Sequence, residues 1–219
     1  MKTVFETRSP LSGRIRVIDY GRERRLVVAG EIFSIYPLDE NWKPLRREYW
    51  WQALEAIPLP PEPSVLLIGL GGGTQVHLVT QLAAPRAITI IERDPAMIQV
   101  ALDWFGLRRL GNLEFCCGEA ADMAPALARL GRRFDFVMED AAYGDGVEGS
   151  VELARALAPL VAPRGTLVLN RHRRLDARRV ADALEPIFRD VRMRRVKRQG
   201  ENVLIYCSHV VRRLRVPRR

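Results

Sequence analysis

From residue 65 onward the apolar residues of this chain fall into short, nearly continuous runs separated by stretches of helical spacing, and this alternation limits the possible folds more than any other feature. The runs Val65 to Gly69, Ala87 to Glu92, Leu113 to Cys117, Phe134 to Glu139 and Gly165 to Asn170 are predicted strands. Between them, Thr74 to Leu82, Pro95 to Phe105, Ala120 to Leu130 and Val151 to Leu160 read as helices. A strand that is apolar along its whole length buries both faces, and strands alternating with helices need crossover connections. Together these predict a parallel sheet covered by helices on both sides. The chain then continues as a helix near Asp176 to Phe188 and two strands, Val191 to Val196 and Val203 to Cys207, across a Gln199-Gly200 turn.

The first forty residues follow a different rule. Ile15, Val17 and Asp19, then Leu26 to Val28, then Ile32 to Tyr36 read as short strands punctuated at Tyr20-Gly21-Arg22 and Ala29-Gly30, which predicts a small antiparallel hairpin or three-stranded unit. Pro44 can open a helix, and Tyr49, Trp50, Ala53, Leu54 and Ile57 recur at helical spacing. Four prolines between Pro58 and Pro63 end that helix and mark the best boundary. We therefore expect an N-terminal unit over residues 1–60 and a second domain over 61–219.

At 219 residues, with 47% hydrophobic and 28% charged side chains, the chain has enough apolar material for a large core, so disorder as the main state is excluded. No apolar run approaches the ~20 residues of a membrane-spanning helix, and a cytoplasmic protein with no membrane partner is expected. Three cysteines, with Cys116 and Cys117 adjacent, make no disulfide framework and lack metal-ligand spacing; both are expected to be small core residues. His77, His172 and His209 form no ligand pair, so no metal is expected. The net charge of +9 is unevenly placed: residues 171–219 hold 16 Arg or Lys against 5 Asp or Glu. That density is either a solvated arginine-rich surface or an electrostatic footprint for nucleic acid, although no finger motif or base-stacking strand accompanies it.

Ligands of open parallel sheets bind beyond the carboxyl ends of the strands, so those ends carry the functional information. The first reads Ile68-Gly69-Leu70-Gly71-Gly72-Gly73-Thr74, where glycines allow a tight turn and close approach of a ligand to a helix N-terminus. Glu92 closes the next strand, placed to accept bonds from both hydroxyls of a ribose. Glu119 follows the third strand, either near a base or as a first-turn helix acid, and Asp140 follows the fourth. No GxxxxGK[ST] is present, which argues against a P-loop nucleoside triphosphatase.

With Ile91-Glu92-Arg93-Asp94-Pro95, Gly118-Glu119-Ala120 and Phe134 to Ala141, these segments resemble the class I AdoMet-dependent transferase fold and, within it, the spermidine synthase-like polyamine aminopropyltransferases. The resemblance runs from about Ser12 to Asn170. It implies an α/β, Rossmann-like, doubly wound and mostly parallel seven-stranded sheet with a small N-terminal hairpin unit. It implies AdoMet, decarboxylated AdoMet or methylthioadenosine as ligand, held by Gly69, Gly71, Gly73, Glu92, Glu119 and Asp140. It also implies a small amine acceptor assisted by Asp140, and a homodimer. Two positions depart from the aminopropyltransferase pattern, since Gly72 and Tyr143 stand where that family usually carries Asp.

The chemistry such an enzyme must supply is orientation of an amine and removal of its proton. Asp140 is placed by sequence to do the second, with Tyr143 able to orient the acceptor. Glu139, Asp145, Glu148 and Glu152 make the neighbourhood acidic, either to suit a cationic substrate or as loop and helix-start decoration. Tyr36, Asp39 and Glu40 fall where the family's N-terminal segment closes over substrate. Of Trp50 and Trp51, one is expected in the core and the other at a cleft or interface. The leading expectation is aminopropyl transfer to a polyamine; the alternatives are methyl transfer from AdoMet and a non-enzymatic nucleic-acid-binding module.

Overall fold

The computed structural model describes residues 1–141, 146–198 and 200–211. Its first sheet is antiparallel, in the order β1 (Lys2–Ser9), β2 (Gly13–Tyr20), β3 (Glu23–Val28) and β4 (Glu31–Pro37). The N-terminal unit thus has four strands where three at most were expected. A register shift between Thr3 and Phe5 breaks the alternation of β1, which hides it from a period-two reading. Strands β2 and β3 place Ile15, Val17, Leu26 and Val28 inside, against Met97, Val100 and Phe105.

A 3-10 turn over Lys43–Arg47 and helix α1 (Tyr49–Glu55) lead to the second sheet. There β5 (Ser64–Ile68), α2 (Thr74–Leu82), β6 (Ala87–Glu92), α3 (Pro95–Trp104), β7 (Leu113–Cys117), α4 (Ala120–Arg129) and β8 (Phe134–Glu139) follow one another. They continue as α5 (Val147–Leu157), β9 (Val161–Arg171), α6 (Arg174–Leu184), β10 (Phe188–Arg198) and β11 (Gly200–Val210). The order across the sheet is β10-β11-β9-β8-β5-β6-β7, with β5 to β9 parallel and β11 inserted antiparallel between β9 and β10. The strand order reverses direction between β5 and β8, so the crevice lies above their carboxyl ends.

Alternating side chains explain why the central strands are apolar throughout. Val65 and Leu67 enter one core with Trp50, Val76 and Leu78, while Leu66 and Ile68 enter the opposite core with Ala154, Leu157 and Val180. Edge strand β7 has less cover, which corrects the placing of both cysteines in the core: Cys116 is half-buried and Cys117 exposed. At the other edge, β10 exposes Arg189, Arg192, Arg194 and Arg195, and charged edge residues of this kind discourage strand pairing with other chains. Among the described residues no helix is long and apolar enough to cross a membrane.

Candidate functional site

A cavity of about 1130 Å³ opens above the carboxyl ends of β5, β6, β7 and β8. Gly69, Gly71, Glu92, Glu119 and Asp140 all line it. Gly73 does not: it is left-handed at φ +84°, and a Cβ there would meet the Leu107 side chain at 2.8 Å, so it shapes the turn from behind. Tyr143 and Asp145 lie outside the described residues.

The glycine loop is held from two sides. Gly69 N–H donates to the Ile91 carbonyl at 2.9 Å, tying the loop to β6. Gly71 has φ +53°, and a Cβ there would stand 2.7 Å from Ser34 Oγ and 3.0 Å from the Phe33 carbonyl oxygen, so β4 packs directly on the loop. Ser34 Oγ accepts the Gly72 N–H at 2.7 Å. Thr74 Oγ1 donates to the Ile35 carbonyl at 2.9 Å and accepts the Ile35 N–H at 3.0 Å. The N-terminal sheet also reaches the next strand end, where Ser12 Oγ donates to the buried Asp94 carboxylate.

Glu92 braces this corner. One carboxylate oxygen accepts the Leu70 N–H at 3.0 Å and the other the Asp94 N–H at 2.9 Å. Burial raises its pKa above the ordinary carboxylate value, and these two backbone donors oppose the rise. Glu92 lines the cavity, and each of its oxygens, with one backbone donor, retains acceptor capacity that suits a pair of ligand hydroxyls. Glu119 is exposed and stands 3.6 Å from the Arg93 guanidinium.

Asp140 is the most strongly perturbed acid of the rim. Burial lifts its pKa to about 6, with the adjacent Glu139 adding to the rise, while Asn170, Tyr49 and Trp50 bonds pull the other way. Asn170 Nδ2 donates to Oδ1 at 2.8 Å and Tyr49 Oη to Oδ2 at 2.7 Å. Sequence reading missed both of these partners as site residues. Asn170 stands one residue before the end of β9 on the same rim, so extending the strand-end survey from acids to amides would have found it; Tyr49 comes from α1, 91 residues away.

Other expectations divide. Trp50 lines the cavity and Trp51 is buried under the Arg46 guanidinium. Tyr36, Asp39 and Glu40 are corrected: Tyr36 packs on Trp42, His77 and Phe105, and the cavity wall comes from Glu31 to Ile35 instead. Of the described acids from residue 139 to 152, Glu152 reaches the cavity lining, Glu148 is exposed on the first turn of α5, and Glu139 is buried against Arg171 at 2.5 Å. Glu31 and Glu48 complete an acidic lining with Glu92, Glu119, Asp140 and Glu152. His77 is buried, its Nε2 donating to the Phe105 carbonyl at 2.7 Å. Among the described residues no group of three metal-ligating side chains comes together.

Strand order, glycine loop and rim acids define the class I AdoMet-dependent methyltransferase fold, with a separate four-stranded antiparallel sheet at its N-terminus. The chain is 30% identical over 167 residues to an eEF1A lysine and N-terminal methyltransferase of Danio rerio, covering 70% of this chain and 24% of that protein. It is 27% identical over 126 residues to a polyamine aminopropyltransferase of Vibrio vulnificus, covering 56% of this chain and 42% of the other. It thus spans about a quarter of the methyltransferase's length and under half of the aminopropyltransferase's. Human methyltransferase-like protein 13 in complex with SAH superposes with a TM-score of 0.63 at 23% identity, over 74% of this chain and 81% of that one. A probable spermidine synthase from Corynebacterium glutamicum superposes with a TM-score of 0.72 at 16% identity, over 95% and 81% respectively. No family model matches the chain.

Proposed function

We propose that this chain is an AdoMet-dependent transferase that alkylates an amine nitrogen, with methyl transfer as the first reading. The observation that carries the proposal is Asp140, held by Tyr49 and Asn170 on the rim of an acid-lined cavity that also contains Glu92 and the glycine loop. The lining fits the donor: Glu92 offers acceptors to ribose hydroxyls, and Gly69 and Gly71 line the cavity without side chains of their own. When bound, the donor supplies a sulfonium-activated carbon and departs as a neutral thioether.

The residues of the chain do the rest. Asp140, Glu48 and Glu152 attract a cationic amine. The Asp140 carboxylate first accepts a proton from the ammonium, and the lone pair this frees forms the new C–N bond as the C–S electrons return to sulfur, leaving a substituted ammonium and a neutral thioether. Tyr49 and Asn170 fix the carboxylate so that it need not reorient.

Methyl transfer is placed first because the longer and more identical of the two sequence matches is to a methyltransferase. One observation favours aminopropyl transfer as the second reading: the likeness to the probable spermidine synthase extends over 95% of this chain, against 74% for the methyltransferase-like structure. The test is incubation with methyl-labelled AdoMet and, in parallel, with decarboxylated AdoMet, each against polyamines and lysine-bearing peptides. Label on an amine from AdoMet, reduced ~10²-fold or more in Asp140→Asn, is the expected result. Aminopropylated product alone establishes the second reading, and undiminished turnover in Asp140→Asn removes Asp140 from the chemistry.

A further inference from the structure

Beside Asp140 and Asn170 lies a second pair, Glu139 and Arg171, to which the proposed chemistry gives no part. Parallel strands β8 and β9 are paired as far as Glu139 and Leu169, where their ladder ends. Asp140 and Asn170 therefore stand one residue past the last backbone pairing, and side chains join the strand ends there. On the cavity side Asn170 Nδ2 donates to Asp140 Oδ1 at 2.8 Å. Away from solvent, a single nitrogen of Arg171, Nη1, donates to Glu139 Oε2 at 2.5 Å and to the Asn170 carbonyl at 2.6 Å. The other Glu139 oxygen accepts the Ala141 N–H at 3.1 Å, so this carboxylate also fixes the residue that follows Asp140.

Stability does not account for this pair. The Glu139 side chain is fully buried and that of Arg171 is 6% exposed. Arg171 Nε and Nη2 have no hydrogen-bond partner among the described residues. Taking two charges out of water costs about as much as their attraction returns, and two open donors add to that cost. An apolar pair of the same volume would be at least as stable. What the charges supply is geometry: they tie the residue before Asp140 to the backbone of Asn170.

We infer that Arg171 is a positioning residue: by binding Glu139 and the Asn170 carbonyl at once, it holds the ends of β8 and β9 where the Asn170 amide can orient the Asp140 carboxylate. The inference rests on the proposed role of Asp140 as proton acceptor. Arg171 does not line the cavity, so it acts through Glu139 and Asn170. Because one nitrogen makes both bonds, an ammonium in its place can make them too.

The test compares the full chain with two variants. Glu139→Gln combined with Arg171→Met removes both charges together, leaving neither buried alone, and keeps an acceptor for Ala141. Arg171→Lys keeps the donor. In the double variant the side-chain amide protons of Asn170, followed by NMR, should exchange with water roughly tenfold faster or more. Its kcat, with whichever amine the labelled-AdoMet assay yields, should fall roughly ten- to a hundredfold. Its melting temperature should be at or above that of the wild type. Methylthioadenosine affinity and donor KM should stay within about twofold, since the Glu92 corner is untouched. Arg171→Lys should recover most of the protection and of kcat. An Asn170 amide as protected in the double variant as in the wild type overturns the inference, with or without a known acceptor. So does a parallel loss of methylthioadenosine binding, which would make the pair a brace for the whole rim. An Arg171→Lys protein no better than the double variant would assign the effect to packing volume and overturn it too. Undiminished turnover in Asp140→Asn, by contrast, removes the proton-acceptor reading, and the exchange measurement still decides whether Arg171 holds Asn170 on Asp140.

Discussion

The proposed chemistry turns on the protonation of Asp140, and its environment makes that measurable without any substrate. Burial raises its pKa from 3.8 to about 6, so the folded protein favours the neutral acid more than the unfolded chain does. Such a group contributes stability that is fully present below pH 3.8 and is lost as pH rises through about 6. Asn at this position cannot ionise. Asp140→Asn should therefore match the wild type near pH 3.5 and exceed it by about 2–3 kcal/mol at pH 8, read from urea unfolding across that range. A gap that stays constant with pH would refute the assignment. The same ionisation should appear as a rising limb near pH 6 in kcat/KM once an acceptor is known. Glu92 and Asp140 were legible in the sequence because a parallel sheet places its ligand at strand ends, and those ends can be counted along the chain. Tyr49 and Ser34 were not, because nothing local to them signals a site: each acquires its place only when a distant element packs beside it.

Strand β4 turns the glycine loop from a flexible turn into a fixed wall. Gly71→Ala would put a methyl group 2.7 Å from Ser34 Oγ and 3.0 Å from a backbone oxygen, at a φ of +53° that Ala disfavours. We expect a loss of roughly 2–3 kcal/mol together with weaker ligand binding. Gly111→Ala, with open space around it and no left-handed φ, should be near neutral. Thermal melts of the pair decide it, and equal melting temperatures would show that β4 does not clamp the loop. Ser34→Ala should cost about 1–3 kcal/mol by leaving the buried Gly72 N–H without its acceptor. At this scale the sequence was most informative in the middle of the sheet: α2, β6, β7 and β8 fall on the residues expected, because strands buried on both faces announce themselves by composition. The borders were less readable. Strand β1 is interrupted by a register shift, and β10 and β11 run beyond their expected ends into residues such as Arg189, Asp190 and His209 that break the apolar run. Helix α5 begins at Val147, four residues before the apolar spacing that marked it.

The molecule as a whole has two sheets that share one wall of the cavity, and their contacts bear on how it unfolds. Ile15, Val17, Leu26 and Val28 from the first sheet bury against Met97, Val100 and Phe105 from the segment that follows β6. Ser12, Ser34 and Ile35 add hydrogen bonds to Asp94, Gly72 and Thr74 at both sides of the glycine loop. Neither sheet can open without exposing this shared apolar surface and disrupting the glycine loop, so the two should unfold together. Far-UV circular dichroism and tryptophan fluorescence should therefore give coincident melts. Phe105→Ala, which empties a fully buried site between the sheets, should lower the single transition by about 3–5 kcal/mol without splitting it. Methylthioadenosine at a hundred times its Kd should raise that same transition by about 2.7 kcal/mol, since on the proposed reading its site lies where both sheets meet. Two separated melts, or a ligand shift confined to one of them, would mean that the first sheet is only attached to the nucleotide-binding unit. In that event Ser34 and Ser12 could not be holding the glycine loop and Glu92 in place.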